Sequence, residues 1–90
     1  MSYVLLSGDR FVTDVGSATL YWKIIKTVKA HTNKGPLYDF VQSGRTTNPR
    51  GVVKKLDELL PAIADSGMRS TLTDLRNGLA KVKKIGIISG

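Results

Sequence analysis

The stretch LYWKIIKTVKAH, residues 20–31, has apolar side chains at regular intervals. At about 100° per residue along a helix, its apolar side chains fall within an arc of roughly 140°. An apolar stripe with this period predicts an amphipathic helix over residues 18–31, capped at its start by Ser17. The stripe consists of Leu20, Tyr21, Ile24, Ile25 and Val28.

Trp22, the only tryptophan in the chain, lies outside this stripe. It falls about 130° from the centre of the arc, on the side of the helix that carries Lys23, Lys26 and Lys29. Because large aromatic side chains are usually buried, we expect the N-terminal hairpin to cover the ring, with lysine stems packed on it. The alternative is an exposed indole that anchors a protein partner.

The two ends of the chain predict strands. Residues 3–6 and 11–13 favour two short strands joined by the turn Ser7-Gly8-Asp9. Residues 85–88 favour a last strand that pairs with the first. Together they predict a small antiparallel sheet that brings the N-terminal and C-terminal segments side by side.

Three more helices are predicted between the first helix and the last strand. A short helix over 36–42 and a longer one over 49–60 each begin with proline, and Asn48 caps the longer one. Residues 45–48 predict a polar turn between them, and Pro61 ends or kinks the longer helix.

The fourth helix is expected after a break at Ser66-Gly67, with Ser70 or Thr71 as its cap. The fold class predicted is therefore α+β, with four helices, the second short, packed against the small antiparallel sheet in a single compact domain over 1–90. The expected core comprises Leu5, Phe11, Leu20, Ile24, Val28, Leu37, Phe40, Val52, Leu56, Leu59, Leu72, Leu75, Leu79 and Ile87.

The net charge of +7 is concentrated in the middle of the chain. Residues 23–55 contain eight basic residues against Asp39 alone, so their net charge equals that of the whole protein. We expect folding to gather these bases on one exterior patch that attracts an anionic partner. The chain has no cysteine and one histidine, and no apolar run long enough for a signal peptide or a membrane span. It therefore predicts a cytoplasmic protein without metal, cofactor or membrane contact.

Residues 36–60 have the outline of a helix–turn–helix segment. In such a segment the start of the second helix enters the major groove of duplex DNA, where arginine binds guanine or phosphate and amides bind adenine. Hydroxyl groups and lysines contact phosphate. The residues of these types in this region are Arg45, Thr46, Thr47, Asn48, Arg50, Lys54, Lys55 and Lys34. We expect a small, non-enzymatic DNA-binding protein, a regulator of the phage or mobile-element type, and RNA as a less favoured ligand.

The second hypothesis belongs to another class. A protein-binding module, such as an inhibitor or assembly factor, would dock on an acidic partner through Trp22, Lys23, Lys26 and Lys29. Phosphate-loop and dinucleotide-binding motifs are missing from the sequence, and its few possible acid–base pairs are typical of turns and caps. A homodimer would enlarge a core that is marginal at 90 residues.

Overall fold

The structure, a computed structural model, describes residues 2–90. They form four helices and a four-stranded antiparallel sheet, so the predicted α+β architecture is confirmed. The elements in chain order are β1 (Ser2–Ser7), β2 (Arg10–Ser17), α1 (Ala18–His31), α2 (Pro36–Ser43), β3 (Arg45–Thr46), α3 (Pro49–Leu59), a 3-10 turn (Leu60–Ala62), α4 (Ser66–Leu79) and β4 (Gly86–Ser89).

The sheet has the strand order β2-β1-β4-β3. β4 lies between β1 and β3 and pairs with both, which confirms the predicted pairing of the last strand with the first. Leu5 of β1 and Ile88 of β4 are opposite each other and both are buried. Leu5 also lies against Gly78 of α4. This face of the sheet, the inner face, is therefore the one that the helices cover.

Helix α1 has the predicted bounds and the predicted cap. The Ser17 hydroxyl accepts the backbone N–H of Leu20 at 3.2 Å, which satisfies one of the amide groups that a helix start leaves unpaired. Its apolar stripe packs on the sheet, where the rings of Tyr21 and Tyr3 lie 4.7 Å apart between centroids. The side chains that α1 buries are Tyr21, Ile24, Ile25 and Val28.

The ends of α2 and α3 follow their sequence signals. Pro36 and Pro49 stand in the first turns, and Asn48 accepts the N–H of Gly51 at 3.1 Å. α2 ends at Gly44, whose φ of 73° suits a residue without Cβ. α3 tightens into the 3-10 turn that contains Pro61, because proline cannot donate the next helical hydrogen bond.

Two local predictions are wrong. Residues 45–48 do not form only a polar turn, since Arg45 and Thr46 pair with β4 and complete the hydrogen bonding of its second edge. Ser66-Gly67 is not a break either: Asp65 caps α4 by accepting the N–H of Gly67 at 3.3 Å, so the helix begins before Ser70. A carboxylate is favourable there because it faces the positive end of the helix dipole.

The predicted core is correct except at two sheet positions, Phe11 and Ile87, and at one helix position, Leu20. Phe11 is 62% exposed, and Leu20 and Ile87 are only half-buried. β2 contains two irregularities in its pairing with β1, and Phe11 pairs with Leu6 rather than with the buried Leu5. A one-residue change of register sends a side chain to the other face of a sheet, and here it turns Phe11 away from the helices.

Candidate functional site

A groove of about 860 Å³ lies between the start of α3 and the segment that follows α4. Thr47, Asn48 and Arg50 line it from one side, and Lys81 and Lys83 line it from the other. Aliphatic side chains of α3 and of the segment after α4 complete the lining. The groove thus combines three cations with an apolar floor and has no carboxylate among its lining residues.

A second depression of about 340 Å³ continues this surface towards the β1–β2 hairpin. Lys81 and Lys83 line both depressions, and the second adds Arg10 and Phe11. We call the combined surface the basic groove and define it by Arg10, Arg50, Lys81 and Lys83. Each of these four cations lines one or both of the two depressions.

The basic groove lies at one end of the sheet because of the strand pairing. The backbone N–H of Gly8, in the hairpin turn, donates to the carbonyl of Ile85 at 2.9 Å, which places Arg10 beside the segment before β4. Thr46 pairs with Gly86, so α3 also starts at this end of the sheet. Three segments that are distant in sequence therefore meet at this end of the sheet.

The cations of the basic groove are not neutralised by neighbouring acids. Across residues 2–90, ion pairs form between Lys55 and Glu58 at 3.8 Å and between Arg76 and Asp57 at 2.8 Å, and neither involves the basic groove. The Arg76 guanidinium donates two hydrogen bonds to the Asp57 carboxylate and holds the pKa of that carboxyl below its ordinary value. This pair joins α3 to α4 and removes one acid of α3 from the local charge balance.

The predicted nucleic-acid-binding residues are only partly brought together. Thr47, Asn48 and Arg50 line the basic groove, and Arg45 lines a smaller depression beside it that shares Thr47 and Asn48. Thr46 is 8% exposed and its hydroxyl accepts the N–H of Asn48 at 3.0 Å, so its side chain supports the turn and is not available to a ligand.

The predicted lysines lie elsewhere. Lys55 pairs with Glu58 and lines a different depression, which it shares with His31. Lys34 and Lys54 are exposed outside the basic groove. The amide oxygen of Asn48 already accepts the Gly51 N–H in the helix cap, which leaves the NH₂ group as the side chain's donor for a partner.

Sequence reasoning missed Arg10, Lys81 and Lys83. The two lysines follow the C-terminus of α4, where positive charge suits the helix dipole, so their position has a structural explanation that requires no ligand. The expected pairing of the last strand with the first was the available signal. Antiparallel pairing brings the residues before β4 next to the hairpin turn, and hence next to Arg10.

The second predicted surface, on α1, is more exposed than expected. Trp22 is 63% exposed, so the prediction that the hairpin covers it is wrong. The hairpin packs on the apolar stripe of α1, where Tyr3 contacts Tyr21, and it leaves the tryptophan side open. Lys23, Lys26 and Lys29 are exposed beside it.

The basic residues of the middle third therefore do not form one patch. Lys23 and Lys26 line a depression of about 580 Å³ with His31, Ile63 and Met68, which shares no lining residue with the basic groove. The reason is the position of α1, whose basic side faces the loop before α4 rather than the end of the sheet.

No group of three or more potential metal-ligand side chains occurs among the residues that the structure describes. None of the helices within residues 2–90 combines the length and the apolar character needed to cross a membrane. No protein-family model, curated protein or solved structure matches this chain.

Proposed function

We propose that this is a small, non-enzymatic DNA-binding protein that holds a phosphate backbone in the basic groove. The observation that carries the proposal is that Arg10, Arg50, Lys81 and Lys83 line two depressions that share both lysines, with no carboxylate in either lining. Cations arranged in this way displace the counterions condensed on DNA, and that release supplies most of the affinity for a polyanion. A cytoplasmic regulator of the phage or mobile-element type would be consistent with this chemistry.

Duplex DNA fits the groove better than a single strand. Proteins that bind single strands stack successive bases on several aromatic side chains. The basic groove has one aromatic residue, Phe11 at its hairpin end, and aliphatic residues such as Val53 and Val82 elsewhere. A duplex presents a continuous row of phosphates to Lys81 and Lys83 and leaves its bases stacked.

The start of α3 is the element that would read sequence. Arg50 is exposed in the first turn, and the helix–turn–helix outline of α2 and α3 would present this turn to the major groove. Arginine is the side chain that most often binds guanine there. Lys54, one helical turn further on, would reach the flanking phosphates.

Salt dependence of duplex binding tests the proposal. If four cations each neutralise one phosphate, the slope of log K against log salt concentration is about −3.6, and affinity falls roughly 150-fold between 50 and 200 mM salt. Fluorescence anisotropy with a labelled duplex measures both quantities. The double variant Lys81→Ala/Lys83→Ala should make the slope shallower by about 1.8.

The matched control is Lys26→Ala/Lys29→Ala, which removes the same charge from exposed positions of α1. It should leave the slope nearly unchanged. Equal losses in both double variants would mean that net charge alone drives binding and would refute a defined groove. No measurable duplex affinity at 50 mM salt would refute the function itself.

We propose protein binding through α1 as a second candidate, because one observation favours it. Trp22 is 63% exposed beside Lys23 and Lys26, and an exposed indole flanked by cations is a suitable anchor for an acidic protein surface. A pull-down from lysate, with and without nuclease, separates the two candidates. A protein retained after nuclease treatment and lost in Trp22→Ala supports this one, whereas nuclease-sensitive capture supports DNA.

A further inference from the structure

The face of the sheet that points away from the helices, the outer face, is apolar. Residues paired across antiparallel strands point to the same face, and pairing links Phe11 to Leu6, Leu6 to Ile87 and Ile87 to Arg45. Their neighbours Leu5 and Ile88 point inward and are buried, so this row points outward. The row runs across all four strands.

A second row lies two residues further along β1 and β4, and three residues further along β2, where the irregular pairing adds a residue. It joins Asp14 of β2 to Val4 of β1 and Ser89 of β4. Leu6, Val4 and Ile87 are half-buried, and Phe11 and Asp14 are exposed, which shows that no helix covers this face. The outer face thus has an aliphatic centre, with Phe11 and an acid on one edge strand.

The charges on the outer face lie on opposite edges. Asp14 is on β2, one edge of the sheet, and Arg45 is on β3, the other edge. Neither belongs to an ion pair between residues 2 and 90. An apolar centre with an acid at one edge and a base at the other is complementary to itself after a two-fold rotation.

We propose that the outer face packs against the outer face of a second copy, about a two-fold axis parallel to the strands. This rotation exchanges the two edges, so β2 of one copy lies over β3 of the other at the usual sheet separation of about 10 Å. Leu6 then meets Ile87 of the second copy, and Phe11 meets Arg45 of the second copy, where ring and guanidinium attract each other.

Asp14 completes the contact. It lies one row from Phe11, a distance of about 7 Å along the strand, within reach of the Arg45 side chain of the second copy. Each dimer therefore contains two equivalent pairs between Asp14 and Arg45. A two-fold axis across the strands would instead place β2 over β2 and β3 over β3, so that each edge would face a copy of itself and no Asp14–Arg45 pair could form between the copies.

Nucleic acid is a poorer occupant of this face. Its centre is aliphatic and cannot stack bases, and Asp14 would repel phosphate. A second copy buries the aliphatic residues and also neutralises Asp14. Because a four-stranded face is small, the dimer belongs to the weak class of interfaces, with a dissociation constant on the order of 10–100 µM.

The proposed axis has a consequence that rests on the proposed function. Rotation about an axis parallel to the strands keeps both copies' basic grooves at the same end of the dimer, because both grooves lie at the Ser7 end of the sheet. Two grooves on one side can hold one duplex. Binding by both grooves at once raises the apparent affinity, although neither groove gains a contact of its own.

Sedimentation equilibrium of the nuclease-treated protein tests the dimer without nucleic acid. The weight-average mass should rise from 9.8 kDa towards twice that value as concentration increases from about 5 to 500 µM. Phe11→Ser should weaken self-association at least about tenfold. Trp22→Ala is the matched control, since Trp22 is as exposed as Phe11 but lies on α1, and it should have no effect.

Charge exchange tests the orientation. Asp14→Arg and Arg45→Asp should each weaken the dimer, and the double variant D14R/R45D should restore it to within about threefold, because the pair re-forms with opposite sense. Both positions are exposed, and circular dichroism checks folding. A protein that stays monomeric at 500 µM, or a double variant without recovery, overturns the proposal.

The failure of this proposal is distinguishable from failure of the proposed function. A monomer that still binds duplex with the expected salt slope would refute only the dimer. If Phe11→Ser leaves self-association unchanged, the dimer proposal is wrong whatever the variant does to duplex binding, because Phe11 also lines the basic groove. A dimer that ignores DNA would refute only the function.

Discussion

Replacement of Gly78 by alanine sets local helix preference against tertiary packing. Gly78 lies near the end of α4, and in an isolated helix alanine would be more stable than glycine by about 1 kcal/mol. In the folded protein Gly78 is buried against the hairpin. An added Cβ would lie 2.8 Å from Thr13 Cγ2 and 3.0 Å from Leu5 Cδ2.

Both of these atoms are constrained. Leu5 is fully buried, and Thr13 is β-branched and sits in a strand, so neither can move far without disturbing the sheet. Overpacking of this kind costs about 1–3 kcal/mol, which exceeds the gain in helix preference. We expect Gly78→Ala to lower the free energy of unfolding by about 1 kcal/mol, and Tm by about 4–8 °C.

Urea unfolding followed by circular dichroism measures this change, and Gly67→Ala is the matched control in the same helix. A Cβ on Gly67 meets only Asp65 atoms at 3.8 and 4.0 Å, so that variant should be as stable as the wild type or gain up to about 1 kcal/mol. Thr13→Ser removes the methyl group nearest to the new Cβ, and in that background the loss from Gly78→Ala should shrink. If Gly78→Ala stabilises the protein as Gly67→Ala does, close packing of α4 on the hairpin is refuted.

Three further predictions concern side chains of the core and surface. The Tyr21 hydroxyl donates to the carbonyl of Val41 at 2.9 Å, so Tyr21→Phe should lose about 1 kcal/mol in urea unfolding. Burial, and to a lesser extent Tyr3, raises the pKa of Tyr21 above 10.0. The contribution of Tyr21 to the free energy of unfolding is therefore complete below pH 10.0 and is lost as pH rises through the folded pKa. In Tyr21→Phe, the free energy of unfolding should fall less steeply over this alkaline range. The hydrogen bonds from Arg76 lower the pKa of Asp57 below 3.8. The pair therefore stabilises the fold above that pH, and this stabilisation is lost as pH falls through the folded pKa. In Arg76→Gln, an NMR titration should find the Asp57 pKa closer to 3.8. Iodide should quench the fluorescence of Trp22 almost as strongly as that of a free indole, and weak quenching would contradict its exposure.

Much of the architecture was predictable because its causes are local. The stripe from Leu20 to Val28 repeats with the helix period, Ser17 and Asn48 supply caps within three residues of the amides they accept, and Pro61 removes a donor where α3 tightens. Each of these signals acts within one or two helical turns. The sequence was therefore sufficient for α1, α2 and α3, for the hairpin and for the pairing of the two ends, whereas α4 begins earlier than predicted because Asp65 is its cap.

The surfaces were less predictable because they depend on register and on contacts between distant segments. The exposure of Phe11 follows from irregular pairing in β2, which the alternation of residues does not reveal. The basic groove joins Arg10, Arg50 and Lys83 only because β4 pairs with both β1 and β3.

Sequence patterns alone indicated the four helices, three of the four strands and the total charge that the surface must carry, whereas β3 exists only through its pairing with β4. The places where those charges meet, and the aromatic rings that face water, depend on how the elements pack in the folded chain. Capping and periodicity act between neighbours along the chain. The position of a surface side chain depends instead on the pairing of strands tens of residues apart.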